Sequence, residues 1–599
     1  MTTYFCGPGG SSGNAGTSYA ARKLTLTQVE ALSLVAGDIV YASPGTYRET
    51  LTTSHNGGST YATGTVAVTN GSAVVTGTGT TFTGNVFANG QFQVSQLAHG
   101  TDGVTAGTTT FTSVAGNFQA GHVGMTIRIN TKAAYTITAV ASTISITLSG
   151  SPAAGTLLTY DVGPERPIEI LSVDSNTQIT LKENWTMPSF TLLAYGTWQD
   201  IRYIADVTGV NTDSVGGLVR ITGSDNDQTA ARTVGVACPS NYRTFVGFQV
   251  DSCSTVANIN INGGHHVIVD GCYTPGSNSL VSSTGIAIST ATSTNCTIRR
   301  CISWVYNNGI IVSHTATVDN TAVIIENCII WGISSAINIT RYGGVLVRNC
   351  VLRHANAGIF TATASPAAGQ SATINNCIIM NNLIGFQCAS TIDLVENYNN
   401  FYGNGTDRLN ANVGANSQTY TPLLQSPILS AGFNLPSPFF LGALNELSPL
   451  RAITGLFPAA QDIFGLIRPA TAGKISWGVA QFNDVSLSTT QAHSGTYSLK
   501  LADAGRQQYI IPVINISMTL ACYVYREANY AGTAPQMIIH QSGQSDITLT
   551  DAGSASAWNQ LTNTFTPAAT PPYIIVELVS NNTATSGSYN TYFDDITVT

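Results

Sequence analysis

Four aspartates come first in a search of this chain for chemistry: Asp225 and Asp227 in GSDNDQTA, then Asp251 and Asp270 at the ends of apolar segments. Cleaving a glycosidic bond takes two carboxyl groups about 5–9.5 Å apart, one acid and one base or nucleophile. Segments stacked above one another supply such a spacing, so these four are the candidate catalytic acids. The opposing possibility is an Asx-rich loop followed by structurally paired acids. His265-His266, beside Gly263-Gly264, offers imidazoles for a general base or a ligand pair. Adjacent residues on a strand point to opposite faces, however, which favours turn and surface roles. His314 and His354 have no acid in an equivalent position. The sequence holds no nucleophile elbow, phosphate loop or Cys-x-x-Cys pair.

A second group lies near the C-terminus. Tyr509, Tyr523, Tyr525 and Tyr530 are candidate glycan-binding residues, with Tyr573 beside them in type, because a flat ring can lie against the apolar face of a sugar. Core packing or contact between subunits explains tyrosines equally well. Trp558 falls in an alternating strand and is expected in the core. Asp594 and Asp595 are candidate ligands for a structural Ca²⁺, an ion that takes 6–8 oxygens; no other cofactor is expected.

What would position these residues is a repeat. VIVDGC, CTIRRC, VIIENC, VLVRNC and ATINNC end at Cys272, Cys301, Cys328, Cys350 and Cys377, at steps of 29, 27, 22 and 27 residues. FQVDSC, ending at Cys253, and IDLVENY, with Tyr398 in the cysteine slot, read as fainter members. A second series starts at Gly285, Gly309, Ala336, Gly358 and Gly385. Two strand types that recur together predict a parallel coil stacked on copies of itself. Asn327, Asn349 and Asn376 precede their cysteines, and asparagine suits a left-handed turn. One position earlier, Asp251, Asp270, Arg299, Glu326, Arg348, Asn375 and Glu396 form a column whose alternating charges attract from coil to coil. The acids there are expected to be structural.

Only 9% of the 599 residues are charged, against about 25% in an ordinary soluble domain. The net charge of −8 leaves no basic stripe for nucleic acid. No apolar run approaches the ~20 residues that cross a bilayer, and the first residues show no signal-peptide pattern. Eleven cysteines, five in one repeated slot, are expected to be free buried thiols. Thr27-Gln28-Val29-Glu30 has capping-box spacing and predicts a short helix covering the first coil.

The chain is therefore expected to be all-β and to divide as follows. Residues 1–61 form a cap and first coils. Residues 62–193 form inserted β-modules, an outer one from 64–99 and 164–186 and a nested one from 100–163. Residues 194–481 are coils with their closing segment, and 482–599 are a separate β-domain.

GDIVYASPGTYRETL, the Asn-Cys coils and the closing SPL…DIFGLIRP…ISWGVAQ resemble right-handed parallel β-helix proteins of the pectate-lyase-like superfamily, over roughly 1–61 and 194–481. The family's usual closing Asp-Ile-Gly-Ala-Tyr phrase is replaced here by Ile475-Ser476-Trp477-Gly478-Val479. Residues 64–95 are similar to small modules of bacteriophage tail and tailspike proteins. HSGTYSLKL, the Trp558 strand and YFDD resemble jelly-roll carbohydrate-binding modules, which implies a C-terminal β-sandwich. The resemblance implies a phage virion protein of tailspike, tail-fibre or surface type, assembled in the host cytoplasm as a homotrimer. Its partners would be other virion proteins and a host-surface polysaccharide. A polysaccharide depolymerase, lyase or glycoside hydrolase, is the alternative, and a purely structural decoration protein is another. Because the columns are filled by packing residues, the expectation leans away from an enzyme.

Overall fold

The computed structural model describes residues 2–419 and 485–598, apart from short loop segments within each stretch. The closing phrases between 426 and 481 lie outside the described residues.

Three parallel sheets build the coils. The first has ten strands, running from Thr3–Cys6 and Ile39–Ala42 through Ile201–Ala205 to Leu394–Asn397. The second runs from Gly45–Tyr47 to Asn400–Tyr402 and the third from Leu51–Thr52 to Thr406–Leu409, with nine strands each. Each coil adds one strand to each sheet, so one residue type recurs along a column at roughly 4.8 Å. Cys272, Cys301, Cys328, Cys350 and Cys377 are all buried and unpaired, inside a core of Ile, Val and Leu from all three sheets.

The corner before each cysteine is a column of left-handed residues. Gly271, Arg300, Asn327, Asn349, Asn376 and Tyr398 have φ between 53° and 61°. This corrects both faint members of the ladder. Tyr398 occupies the turn position, and the cysteine slot passes to Asn399, whose side-chain oxygen accepts the Cys377 N–H at 2.9 Å. Asp251 belongs to the second sheet, opposite Thr222; the residue paired with Asp270 in the first sheet is Val246. The error has a physical origin. Ser252 is also left-handed, at 57°, so a left-handed residue followed by a buried cysteine marks any corner of the coil. Glu396 likewise pairs with Ile374, one place off the column.

The glycine series marks close approach between sheets. A Cβ on Gly309 would lie 2.1 Å from Ile330 Cγ2, and one on Gly285 2.0 Å from Ser303 Oγ. The helix Leu26–Glu30 caps the first coil, but its N-cap is Thr25, which accepts from the Gln28 N–H at 3.2 Å. Glu30 is not part of a capping box. It points inward, where it meets Arg243 at 2.9 Å and the Tyr203 hydroxyl.

Between the first coils and the rest, the chain forms two closed six-stranded barrels, one inside the sequence of the other. The outer barrel uses Thr65–Val68, Val74–Thr78, Gln91–Gln96, Ile168–Ser175, Gln178–Leu181 and Phe190–Trp198. The inner uses Ala98–Thr105, Thr110–Thr112, Thr126–Ile129, Ala133–Ser142, Ser145–Leu148 and Gly155–Val162. Numbered within each barrel, both have the cyclic strand order 4-5-2-1-6-3. Both also carry a left-handed, exposed leucine in the sixth strand, Leu192 and Leu157. The nested module is thus a second copy of its host.

Residues 485–598 form a β-sandwich. A five-stranded sheet holds Val485–Ser488, Ser498–Ala502, Asn590–Val598, Met518–Arg526 and Trp558–Phe565 in that order. A four-stranded sheet holds Arg506–Pro512, Tyr573–Asn582, Gly532–His540 and Ile547–Thr550. Leu520, Cys522, Val524 and Phe593 from one sheet meet Met537, Ile539, Val576 and Leu578 from the other in a shared core.

Candidate functional site

Each described candidate acid on the coils is held by arginine. Asp225 is 61% exposed and pairs with Arg232 at 2.7 Å. Asp251 is buried and takes two bonds from Arg220, at 2.7 and 2.9 Å, with a third from Gln249. Asp270 is buried between Arg299, at 3.0 Å, and Arg300, at 2.7 Å. Burial alone pushes the Asp270 carboxyl upward, but the two guanidinium groups overcome it and hold it at about 2. Asp227, His314 and His354 lie outside the described residues. The structure does not bring Asp251 and Asp270 onto one strand column, since they sit on different sheets.

The charged column continues from Asp270 through Arg299 and Glu326 to Arg348 in strict register. It is buried because the outer barrel docks on it. Arg166 reaches Glu326 at 3.2 Å and also holds Glu183, while Arg299 donates to the Pro167 carbonyl. A second contact joins Glu169 of the barrel to Arg202 of the coils at 2.8 Å. Neither Arg166 nor Arg300 belongs to the repeated charge column. Arg300 occupies a turn slot that in the other coils holds glycine, asparagine or, once, Tyr398, and a charged residue there is the signal in the sequence.

His265 and His266 are not on a strand. His266 has a φ of 55°, and the turn brings the two Nδ1 atoms to 2.7 Å, so the expected opposite-face arrangement does not hold. His266 packs edge-on against Trp198 of the outer barrel and stacks on Tyr242. Burial first, and His265 second, lower the His266 pKa to about 3. The pair is a neutral seam between barrel and coil.

The outward face of the five-stranded sheet is different. Strand alternation sends Leu520, Cys522 and Val524 to the core, and Tyr523 and Tyr525 outward, where both are half-buried. Trp558 pairs with Tyr525 and also faces outward; its expected core position is wrong because Leu561, not Trp558, has the inward phase. Tyr592, Tyr525 and Trp558 therefore line one row across three strands. The Tyr525 and Trp558 rings are 5.5 Å apart. Tyr592 is buried, its hydroxyl on Glu527 at 2.9 Å. The next row holds Asp594, Tyr523 and the exposed Gln560. Tyr530 lies in the loop after the strand and donates to the Thr533 carbonyl at 2.9 Å. The side chains of Tyr509 and Tyr573 lie outside the described residues.

Asp594 and Asp595 hold a loop. Asp594 accepts from the His493 and Ser494 N–H groups at 2.7 and 3.2 Å. Asp595 meets His493 Nδ1 at 2.6 Å and the Ser494 hydroxyl. The Ser494 hydroxyl, followed by His493, keeps the Asp595 carboxyl below the usual carboxylate range. This donor set does not fit a Ca²⁺ site. The carboxylates face N–H and O–H donors, and no cluster of three acids, histidines or cysteines suited to a metal occurs among the described residues. His493 lies in the phrase HSGTYSLKL. Nothing in its local pattern announces that it folds back onto the sheet.

No protein-family model matches the sequence, and no curated protein matches it. Among solved structures, a family 16 carbohydrate-binding module is similar over 19% of this chain and 84% of its own, at 18% identity and a TM-score of 0.17. A xylan-binding domain from Paenibacillus barcinonensis is similar over 19% and 78%, at 13% identity and a TM-score of 0.16. The enzymatically active domain of a bacteriophage CBA120 tailspike protein is similar over 67% of this chain and 60% of its own, at 12% identity and a TM-score of 0.15. At these scores the likenesses carry no inference about ligand or activity.

Proposed function

We propose that this chain binds a glycan through the outward face of its C-terminal five-stranded sheet. One observation carries the proposal: Tyr525 and Trp558 form an outward, half-buried aromatic row, whereas the described candidate acids on the coils are tied to arginine. Half-buried aromatic rings with hydroxyl and amide groups beside them suit a ligand that is apolar on one face and polar at its rim. The setting we propose is a phage virion appendage of tailspike, fibre or surface type that recognises a host polysaccharide as a homotrimer with other virion proteins. That setting is supported by the resemblance of residues 64–95 to phage tail modules.

The test is a glycan array probed with the full chain and with Trp558→Ala, followed by an assay for new reducing ends and unsaturated uronates on any bound polymer. Retention without cleavage, lost at least tenfold in Trp558→Ala, is the expected result. Cleavage would replace binding with a depolymerase. No retention on any glycan would leave a purely structural protein.

A further inference from the structure

Given the glycan-binding reading above, we propose that His493, not Tyr523, is the second ring on which a sugar stacks at this face, and that Asp594 and Asp595 are its positioning pair. The His493 and Tyr523 rings are 3.6 Å apart and within 13° of parallel. That is van der Waals contact, so no sugar ring fits between them and the outward surface of Tyr523 is already taken. The His493 side chain, by contrast, keeps 31% of its surface exposed. His493 also meets Trp558 at 5.5 Å and 68°. Two rings at that angle form a corner: a sugar laid on one presents its rim hydroxyls to the other. Nδ1 is engaged by Asp595, which leaves Nε2 for a hydroxyl, and Gln560 stands in the adjoining row.

The latch is built at a cost. Asp595 adopts a left-handed φ of 49°, and the strand carrying it shifts register opposite Ala521 and Tyr523. A bulge of this kind re-aims side chains, and here it lets two successive carboxylates engage the same loop. Both are spent on His493 and Ser494 and neither on the hydrophobic core. The carboxylates also set a negative field over the corner, so the ligand class is an uncharged sugar with one apolar ring face, not a uronate.

The test uses the full chain in affinity electrophoresis against xylan, galactan, a soluble β-glucan and, as the acidic probe, polygalacturonate. Trp558→Ala and His493→Ala should each weaken retention on a neutral polymer at least tenfold. His493→Phe, which keeps a flat ring but gives up the bond to Asp595, and Asp595→Asn should each weaken retention less than His493→Ala does, by about threefold, with thermal unfolding of the domain unchanged. If His493→Ala unfolds the domain, His493→Phe and Asp595→Asn carry the test. Loss of binding in a folded His493→Phe, or unchanged or tighter binding in His493→Ala while Trp558→Ala weakens it, overturns the role of His493 and leaves glycan binding standing. Preferential retention on polygalacturonate overturns the ligand class. If no probe binds, or if neither alanine variant weakens retention, the glycan-binding reading itself fails.

Discussion

In the coils, Asp270, Arg299, Glu326 and Arg348 run in register across four strands; in the C-terminal sheet, Tyr592, Tyr525 and Trp558 run across three. Both rows arise from the same sheet geometry, which sets one side chain beside another at every strand spacing. The first row is closed. Each charge meets an opposite charge, and the outer barrel brings Arg166 and Pro167 to complete it. The second ends on a buried Tyr592, but Tyr525 and Trp558 are only half-buried. A row whose members satisfy one another has nothing left for a ligand, while an aromatic row can still gain by covering its exposed faces.

Breaking the closed row should give the largest effect. Glu326 is buried and shared by Arg348, at 2.8 Å, and Arg166, at 3.2 Å. Glu326→Ala removes the carboxylate that Arg348 and Arg166 share, and loss of one partner from a buried pair costs about 3–5 kcal/mol. The denaturant midpoint of the coil transition should fall accordingly, while glycan retention by the C-terminal face stays unchanged. A midpoint within error of wild type would mean the row is not the anchor of the barrel.

Acid should weaken the same region in two stages. His266 is held near 3 in the fold, below the ordinary 6.5, so the unfolded chain takes up its proton first. Its contribution is complete above pH 6.5 and is lost as pH falls from there towards 3. Asp270, held at about 2, contributes above the ordinary carboxylate value of about 3.9, and its share, on the order of 2 kcal/mol, is lost as pH falls through 2. Denaturant midpoints across pH should therefore start to fall near 6.5. His266→Asn, which tolerates the left-handed turn, should shrink the fall between pH 6.5 and 4 and leave the lower stage.

These two stages show what was legible in the sequence. The column Asp270–Arg299–Glu326–Arg348 was readable because parallel stacking turns sequence periodicity directly into contact. The Tyr525–Trp558 row was half readable: the residue types stood out, but the phase of Trp558 depended on which neighbour, Leu561, faced the core. Arg166 and His493 were not readable. Each reaches its partners from a segment far away in the chain, Glu326 in one case and Asp594, Asp595 and Tyr523 in the other, and no repeat ties them together.

The glycine series allows a smaller, cleaner perturbation. Gly309→Ala puts a methyl group 2.1 Å from Ile330 Cγ2 and 2.7 Å from the Ala336 carbonyl. Overpacking of that kind costs about 1–3 kcal/mol. Gly196→Ala in the outer barrel has nothing within 4 Å and should shift the midpoint by less than about 1 kcal/mol in either direction. Equal effects at the two sites would show that strand entropy, not the narrow coil interior, selects these glycines.

The smallest effect is expected at Asp225, and it separates the two rows most directly. Among the described candidate acids it alone is largely exposed, with Arg232 as partner. An exposed pair contributes about 0–1 kcal/mol, so Asp225→Asn should leave the denaturant midpoint nearly unchanged. Its exposure also makes it the described acid on the coils best placed to meet a substrate. If the full chain releases reducing ends from any polysaccharide and Asp225→Asn abolishes that release without changing stability, the coils hold a working site and the contrast between a closed coil and an open C-terminal face fails. If retention on glycan is unaffected and no release occurs in either protein, ligand contact stays with the aromatic row, where the strands leave side chains uncovered.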